Sequence, residues 1–153
     1  IVAHTKMVVN GLHMHTGSDI SNIDAFVEAT EVLLNAVKQF DTIEFVDFGS
    51  GFKVPYKKGD NETNIEAMGE IIGKRFNEFC KEYGRDLTLL FEPGKFLVSE
   101  SGNLMVKVNV VKPTPNITFI GVNSGLNHLI RPMMYDAYHH ITNVSNNNET
   151  QQA

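Results

Sequence analysis

Residues 87–95, Leu-Thr-Leu-Leu-Phe-Glu-Pro-Gly-Lys (LTLLFEPGK), decide how this chain is read. The run from Leu87 to Phe91 is short and apolar, as a buried strand would be. Glu92, the pair Pro93-Gly94 and Lys95 then set an acid, a helix breaker and a base at its carboxyl end. In α/β folds that end of the sheet gathers ligands, because the connecting loops open there. A solvated Glu/Lys pair beside a turn is the plainer reading when such a motif stands alone. Two strands upstream end in a comparable way, and they turn the reading toward a site.

Residues 7–15 (MVVNGLHMH) predict a first strand ending in His15-Thr16-Gly17-Ser18. Ser21 with Asp24 makes a capping-box pattern, and Ile23, Phe26, Val27, Thr30, Leu34 and Val37 recur at helical spacing. Residues 43–48 (IEFVDF) predict a second strand, closed by Gly49-Ser50-Gly51. Thr63 and Glu66 mark the start of a second helix carrying Ile65, Met68, Ile72, Phe76, Phe79 and Tyr83 on one face, and Gly84 stops it. Strand, helix, strand, helix, strand with short connections is the pattern of parallel βαβ units. From Ser99 the character changes. Residues 104–111 and 117–122 predict strands of a β-rich region. Residues 127–141 predict a short helical stretch after Pro132, with Met134, Ala137, Tyr138 and Ile141 at packing intervals.

The 153 residues, 42% of them apolar, can bury one core. A closed eight-stranded α/β barrel needs about 250, so barrel units here form only part of one. The net charge of −5 and pI of 5.6 argue against a nucleic-acid surface or an anionic membrane as partner. A single cysteine, Cys80, excludes an intrachain disulfide framework and fits a reducing cytoplasm; its place in a helical apolar pattern makes it a packing residue. With no signal peptide and no apolar run near the ~18 residues of a membrane span, the chain is expected to be soluble. It starts at Ile1 within an apolar pattern, as a piece of something longer would. Residues 143–153 hold too few apolar side chains to pack and are expected to be mobile.

His13 and His15 lie two apart, which on a strand points both to one face and suits a metal pair. No further set of ligands falls at the other strand ends, so no metal is expected. Satisfied structural histidines are the plainer alternative. Gly49-Ser50-Gly51 lets backbone N–H groups approach an anion such as phosphate, although any tight turn also uses glycine. Glu92, on a rim with a histidine and an anion cradle, suits a carboxylate that keeps a proton on a heterocyclic nitrogen, one of the roles proteins play for pyridoxal phosphate.

Four motifs occur in order: His13-Met14-His15-Thr16-Gly17-Ser18, Asp47-Phe48-Gly49-Ser50-Gly51, Glu92-Pro93-Gly94-Lys95 and Leu129-Ile130-Arg131-Pro132-Met133-Met134-Tyr135. Their order and spacing resemble the alanine-racemase-like (fold type III) pyridoxal-phosphate decarboxylases, most closely the diaminopimelate decarboxylase branch. The resemblance implies an α/β fold: residues 1–98 as the second half of a TIM-like (β/α)8 pyridoxal-phosphate-binding barrel, and 99–142 as the start of a β-rich C-terminal domain. It also implies that His15 stacks on the cofactor ring, that Ser18 lies near the cofactor, and that Gly49, Ser50 and Gly51 hold its phosphate. Glu92 would pair with the pyridine nitrogen, Gly94 and Lys95 would complete the cofactor site, and Lys95, Arg131 and Tyr135 would bind substrate carboxylate. Two departures stand out. Lys95 replaces the family's usual Arg, a point charge for a fork, and Ser50 interrupts three glycines, which requires it to keep φ below zero. No lysine of the chain lies in the family's Schiff-base motif, which would precede Ile1.

The implied activity is decarboxylation of meso-2,6-diaminopimelate to L-lysine and CO2 in lysine biosynthesis, by a cytoplasmic homodimer, with this stretch alone inactive. Alternatives are a related decarboxylase of ornithine, arginine or carboxynorspermidine, a non-catalytic cofactor- or partner-binding module, and a metal hydrolase built on His13 and His15.

Overall fold

The structure, a computed structural model, describes residues 6–145. The expectations for the Ile1 start and for most of the 143–153 tail lie outside the described residues. The chain divides into two compact units, residues 1–55 with 61–101 and residues 56–60 with 102–153.

The first unit runs β1 (Gly11–His13), α1 (Ile23–Val37), β2 (Phe45–Asp47), α2 (Ile65–Tyr83), β3 (Thr88–Leu90) and α3 (Lys95–Val98). The three strands form one parallel sheet in the order β1-β2-β3. Gly11, Leu12 and His13 stand opposite Phe45, Val46 and Asp47, which stand opposite Thr88, Leu89 and Leu90. In register, all three strands therefore end on one rim, and the three loops that follow them rise from it.

Both long helices bury most of the face their periodicity marks, although Ile65, in the first turn of α2, is exposed. Phe26, Leu34 and Val37 of α1 and Met68, Ile72, Phe76 and Phe79 of α2 form one buried cluster with Val46 of the central strand and with Phe48, just past its end. Burying a phenylalanine of this kind stabilises the fold by roughly 2–3 kcal/mol. Cys80 is buried in the same cluster, as expected of a packing residue. Gly84 ends α2 and donates its N–H to the Cys80 carbonyl at 3.0 Å.

The caps differ from expectation by one residue. Asn22, not Ser21, caps α1, accepting from Asp24 N at 2.9 Å and Ala25 N at 3.4 Å. Asn64 caps α2, accepting from Ala67 N at 3.0 Å. Thr63 is instead buried between loops: its hydroxyl donates to the Ile20 carbonyl and accepts from Lys53 N. β3 is also less buried than an apolar run implies, with Leu90 39% and Phe91 38% exposed. Among the described residues it pairs with β2 alone, so one side has no covering neighbour.

The second unit holds β4 (Val108–Pro113), β5 (Thr118–Val122) and α4 (Arg131–Tyr135). The two strands form an antiparallel hairpin, turned where Thr114 N donates to the Ile117 carbonyl at 2.9 Å. The helix is shorter than predicted. Asp136 adopts φ 50°, outside the right-handed helical region, and Met134, Tyr138 and Ile141 are exposed instead of packed along one face.

Candidate functional site at the strand rim

The rim of the first unit is assembled by short contacts among its three loops. Gly49-Ser50-Gly51 is bracketed by Phe48 and Phe52, both buried, so the turn cannot drift from the core. Phe52 packs against Phe26, Phe91 and Phe96, which ties the turn to the loop after β3 and to α3. The Glu92 N–H donates to the Gly49 carbonyl at 2.8 Å, and the Ile20 N–H to the Gly51 carbonyl at 2.8 Å. The second loop therefore sits between the first and the third.

Gly49 and Gly51 have φ of 60° and 104°, and a Cβ on either would strike a backbone carbonyl oxygen of the first loop, that of Met14 or Gly17. Ser50 is not among the described non-glycine residues with positive φ, which are Asp19 and Asp136. The conformational condition that a Gly-Ser-Gly turn must meet is satisfied. Asp47 Oδ1 accepts the Gly49 N–H at 2.8 Å, an Asx turn that leaves the Ser50 and Gly51 N–H groups without a partner among the described residues.

Glu92 projects from the start of the third loop, and its Oε2 lies 3.0 Å from His13 Nε2. Asp47 is beside them: one ligand atom from each of His13, Asp47 and Glu92 lies within 4.8 Å of the others. A histidine and two carboxylates are donors that a divalent cation accepts. His15, the second member of the H-x-H pair, is not in that group. β1 ends at His13, so strand alternation no longer governs where His15 points; its Nδ1 would lie 3.3 Å from a Cβ on Gly49. Ser18 is exposed in the same loop.

Gly94 precedes α3 and Lys95 opens it. The Lys95 ammonium meets Asp19 Oδ1 at 2.5 Å, so the cation at the usual arginine position is paired with an acid from the first loop. His15, Gly49–Gly51, Glu92 and Lys95 are thus gathered on one rim. Arg131 and Tyr135 lie in the second unit. The Arg131 guanidinium sits 5.5 Å over the Tyr56 ring with Nη2 3.4 Å from its hydroxyl, while Tyr135 is 68% exposed. Sequence reasoning missed the His13–Glu92, Asp19–Lys95 and Tyr56–Arg131 pairs. Only Asp47, two residues before a glycine, carried a local signal of its role.

Residues 2–99 match the family described as pyridoxal-dependent decarboxylase, pyridoxal binding domain. The chain belongs to this family. Its cofactor is pyridoxal phosphate, and a carboxylate, a histidine and two free amides on one rim are a donor set that fits that group. Diaminopimelate decarboxylase from Buchnera aphidicola subsp. Baizongia pistaciae is 38% identical over 133 residues, 86% of this chain and 32% of that protein. A crystal structure of diaminopimelate decarboxylase matches with a TM-score of 0.78 at 31% identity, over 86% of this chain and 31% of that one. The diaminopimelate decarboxylase from M. jannaschii in co-complex with L-lysine matches at 0.73 and 30%, with the same coverage. The chain spans about a third of the length of the curated relatives it matches. The expected α/β architecture, part of the pyridoxal-binding barrel, agrees with these likenesses. Among the described residues no helix is long and apolar enough to cross a membrane.

Proposed function

We propose that the protein carrying this chain decarboxylates meso-2,6-diaminopimelate, giving L-lysine and CO2 with pyridoxal phosphate as cofactor. The observation that carries the reading is Glu92. It is fixed through its own N–H to the phosphate-cradle turn, and its carboxylate is held at the rim beside His13 and near Asp47.

When bound, pyridoxal phosphate supplies an electron sink for the pair left behind as CO2 departs. The chain's residues hold that group in a working state. Glu92 keeps a proton at the ring nitrogen, which a carboxylate does by favouring the charged form of its partner. His15 stacks on the ring and Ser18 lies near it. The Gly49–Gly51 turn holds the phosphate, through Ser50 and Gly51 N–H groups that no acceptor among the described residues takes up. Gly94 and Lys95 border this site, and Lys95 exchanges its Asp19 partner for phosphate or substrate carboxylate. Arg131 and Tyr135 receive the distal carboxylate of the substrate, Arg131 as a fork steadied by Tyr56. No lysine of these 153 residues is assigned the Schiff-base role.

In the same reading, residues 1–98 belong to the barrel and 99–142 open a C-terminal β domain, which the β4–β5 hairpin supports. The complete enzyme works as a cytoplasmic homodimer on a small amino acid, without nucleic acid or membrane. The test is CO2 release by the complete enzyme from meso-2,6-diaminopimelate, ornithine, arginine and carboxynorspermidine. Diaminopimelate should be preferred, and Glu92→Ala should lower turnover by roughly 100-fold. Preference for ornithine would remove the substrate assignment.

A further inference from the structure

The His13–Glu92 contact is a polar pairing at the rim in which the roles above give His13 no part. It joins the last residue of β1 to the loop after β3, across the full width of the sheet. Register makes this possible: His13 stands level with Asp47, and Asp47 with Leu90, two residues before Glu92. Backbone hydrogen bonding fixes where the Glu92 Cα sits, because its N–H is held by the Gly49 carbonyl. It does not fix the carboxylate. A glutamate side chain has three rotatable bonds, and this one is 56% exposed, so without a partner it samples several rotamers.

We propose that His13 is a positioning residue for Glu92: its Nε2 holds Oε2 and leaves Oε1 to face the ring nitrogen of pyridoxal phosphate. The proposal rests on the reading of Glu92 given above. Neutral imidazole suffices, since an Nε2–H donates to one carboxylate oxygen without neutralising the charge that the ring nitrogen needs. The third titratable group of the cluster, Asp47, reinforces the arrangement. Its Oδ1 is engaged by the Gly49 N–H, which holds that carboxylate in place, while the hydrogen bond of His13 Nε2 is made to Glu92 Oε2. The H-x-H pair then divides its labour, His15 for the ring face and His13 for the acid at the ring's edge.

The test uses the full 153-residue chain titrated with pyridoxal phosphate carrying 15N in its ring. Two readouts are followed at neutral pH, the ring-nitrogen chemical shift and the dissociation constant. The wild-type chain should move the ring signal toward the protonated value, and Glu92→Gln should abolish that movement. His13→Ala should reverse most of it and weaken binding about tenfold, the loss expected for a hydrogen bond to a charged group. His13→Gln, whose amide donates from a similar reach, should restore both to within about twofold of wild type. If Glu92→Gln abolishes the movement while His13→Ala leaves it intact, His13 is not the positioning residue and the reading of Glu92 stands. If neither variant changes the signal, or the wild-type chain shows no protonated ring, both fail together. Should His13→Ala not fold, His13→Gln is compared with His13→Asn, whose shorter amide cannot span the gap; equal signals from the two overturn the proposal.

Discussion

The carbonyl oxygen of Gly49 accepts the N–H of Glu92 at 2.8 Å, so the turn that follows β2 and the acid that follows β3 are parts of one hydrogen-bonded surface. The turn approaches the first loop equally closely on its other side, where a Cβ at Gly49 would strike the Met14 carbonyl oxygen. Whatever displaces Gly49 therefore displaces Glu92 and His15 with it.

Gly49→Ala should be strongly destabilising. It imposes left-handed strain on a residue with a Cβ and forces that Cβ onto backbone, which cannot rotate away, for a combined cost of about 2 to 4 kcal/mol. Gly94→Ala is the control, because nothing lies within 4 Å of its Cβ and its φ is −78°. Its effect should stay within about 0.5 kcal/mol. Urea denaturation of the two variants checks the contrast, and equal midpoints would mean the turn is looser than its contacts indicate.

Thr63 is 3% exposed, and its hydroxyl links two loops, donating to the Ile20 carbonyl at 2.5 Å and accepting from Lys53 N at 2.7 Å. Thr63→Val keeps the shape and removes both bonds, leaving buried polar groups short of partners. A loss of about 1 to 3 kcal/mol is expected. Hydrogen exchange should quicken at the Lys53 amide, and a variant that melts later than wild type would contradict the link.

How far the sequence could be read follows from what each feature depends on. The order of strands and helices, the buried faces of α1 and α2 and the stop at Gly84 are periodic or single-residue signals, and they were legible. The caps slipped by one residue because Ser21 and Asn22, like Thr63 and Asn64, are adjacent polar candidates, and only backbone geometry selects between them. The exposure of Leu90 and Phe91 goes with β3 having, among the described residues, a strand neighbour on one side only, which no local pattern records. At the site, residues within one turn were legible, as with Gly49 to Gly51. His13 with Glu92 and Asp19 with Lys95 are separated by 79 and 76 residues, and sheet register and loop packing bring them together.

Between the helices, Arg75 donates from Nε and Nη2 to the two carboxylate oxygens of Glu31, with Nη2 at 2.9 Å. The hydrogen bonds from Arg75 hold the Glu31 carboxyl below its ordinary value, against a smaller opposing effect of burial; the Arg75 guanidinium is raised by the same pairing and stays charged. Because the folded-state value of Glu31 is depressed, its contribution is present above the unfolded value of about 4.3 and fades as pH falls through the folded one. Glu31→Gln should therefore destabilise the chain at pH 7, by no more than about 1 kcal/mol because the carboxylate is 39% exposed. The gap between the urea midpoints of variant and wild type should shrink as pH is lowered below about 4.3. A gap that does not shrink would mean the pair acts through packing instead of charge.

Under the proposed function, Arg131 should separate substrate binding from cofactor binding. Its guanidinium lies 5.5 Å over the Tyr56 ring, and its Nη2 is 3.4 Å from the Tyr56 hydroxyl, a weak bond at that length. Tyr56→Leu should lose the cation–π contact, worth about 0.5 to 1 kcal/mol at a partly exposed site. Arg131→Lys keeps the charge but discards the planar fork, so in the complete enzyme the hold on a substrate carboxylate should weaken by about 1 to 3 kcal/mol. That loss should appear in KM for diaminopimelate, with the dissociation constant for pyridoxal phosphate unchanged. If both constants worsen together, Arg131 serves the cofactor or the fold, and the carboxylate role passes to another cation.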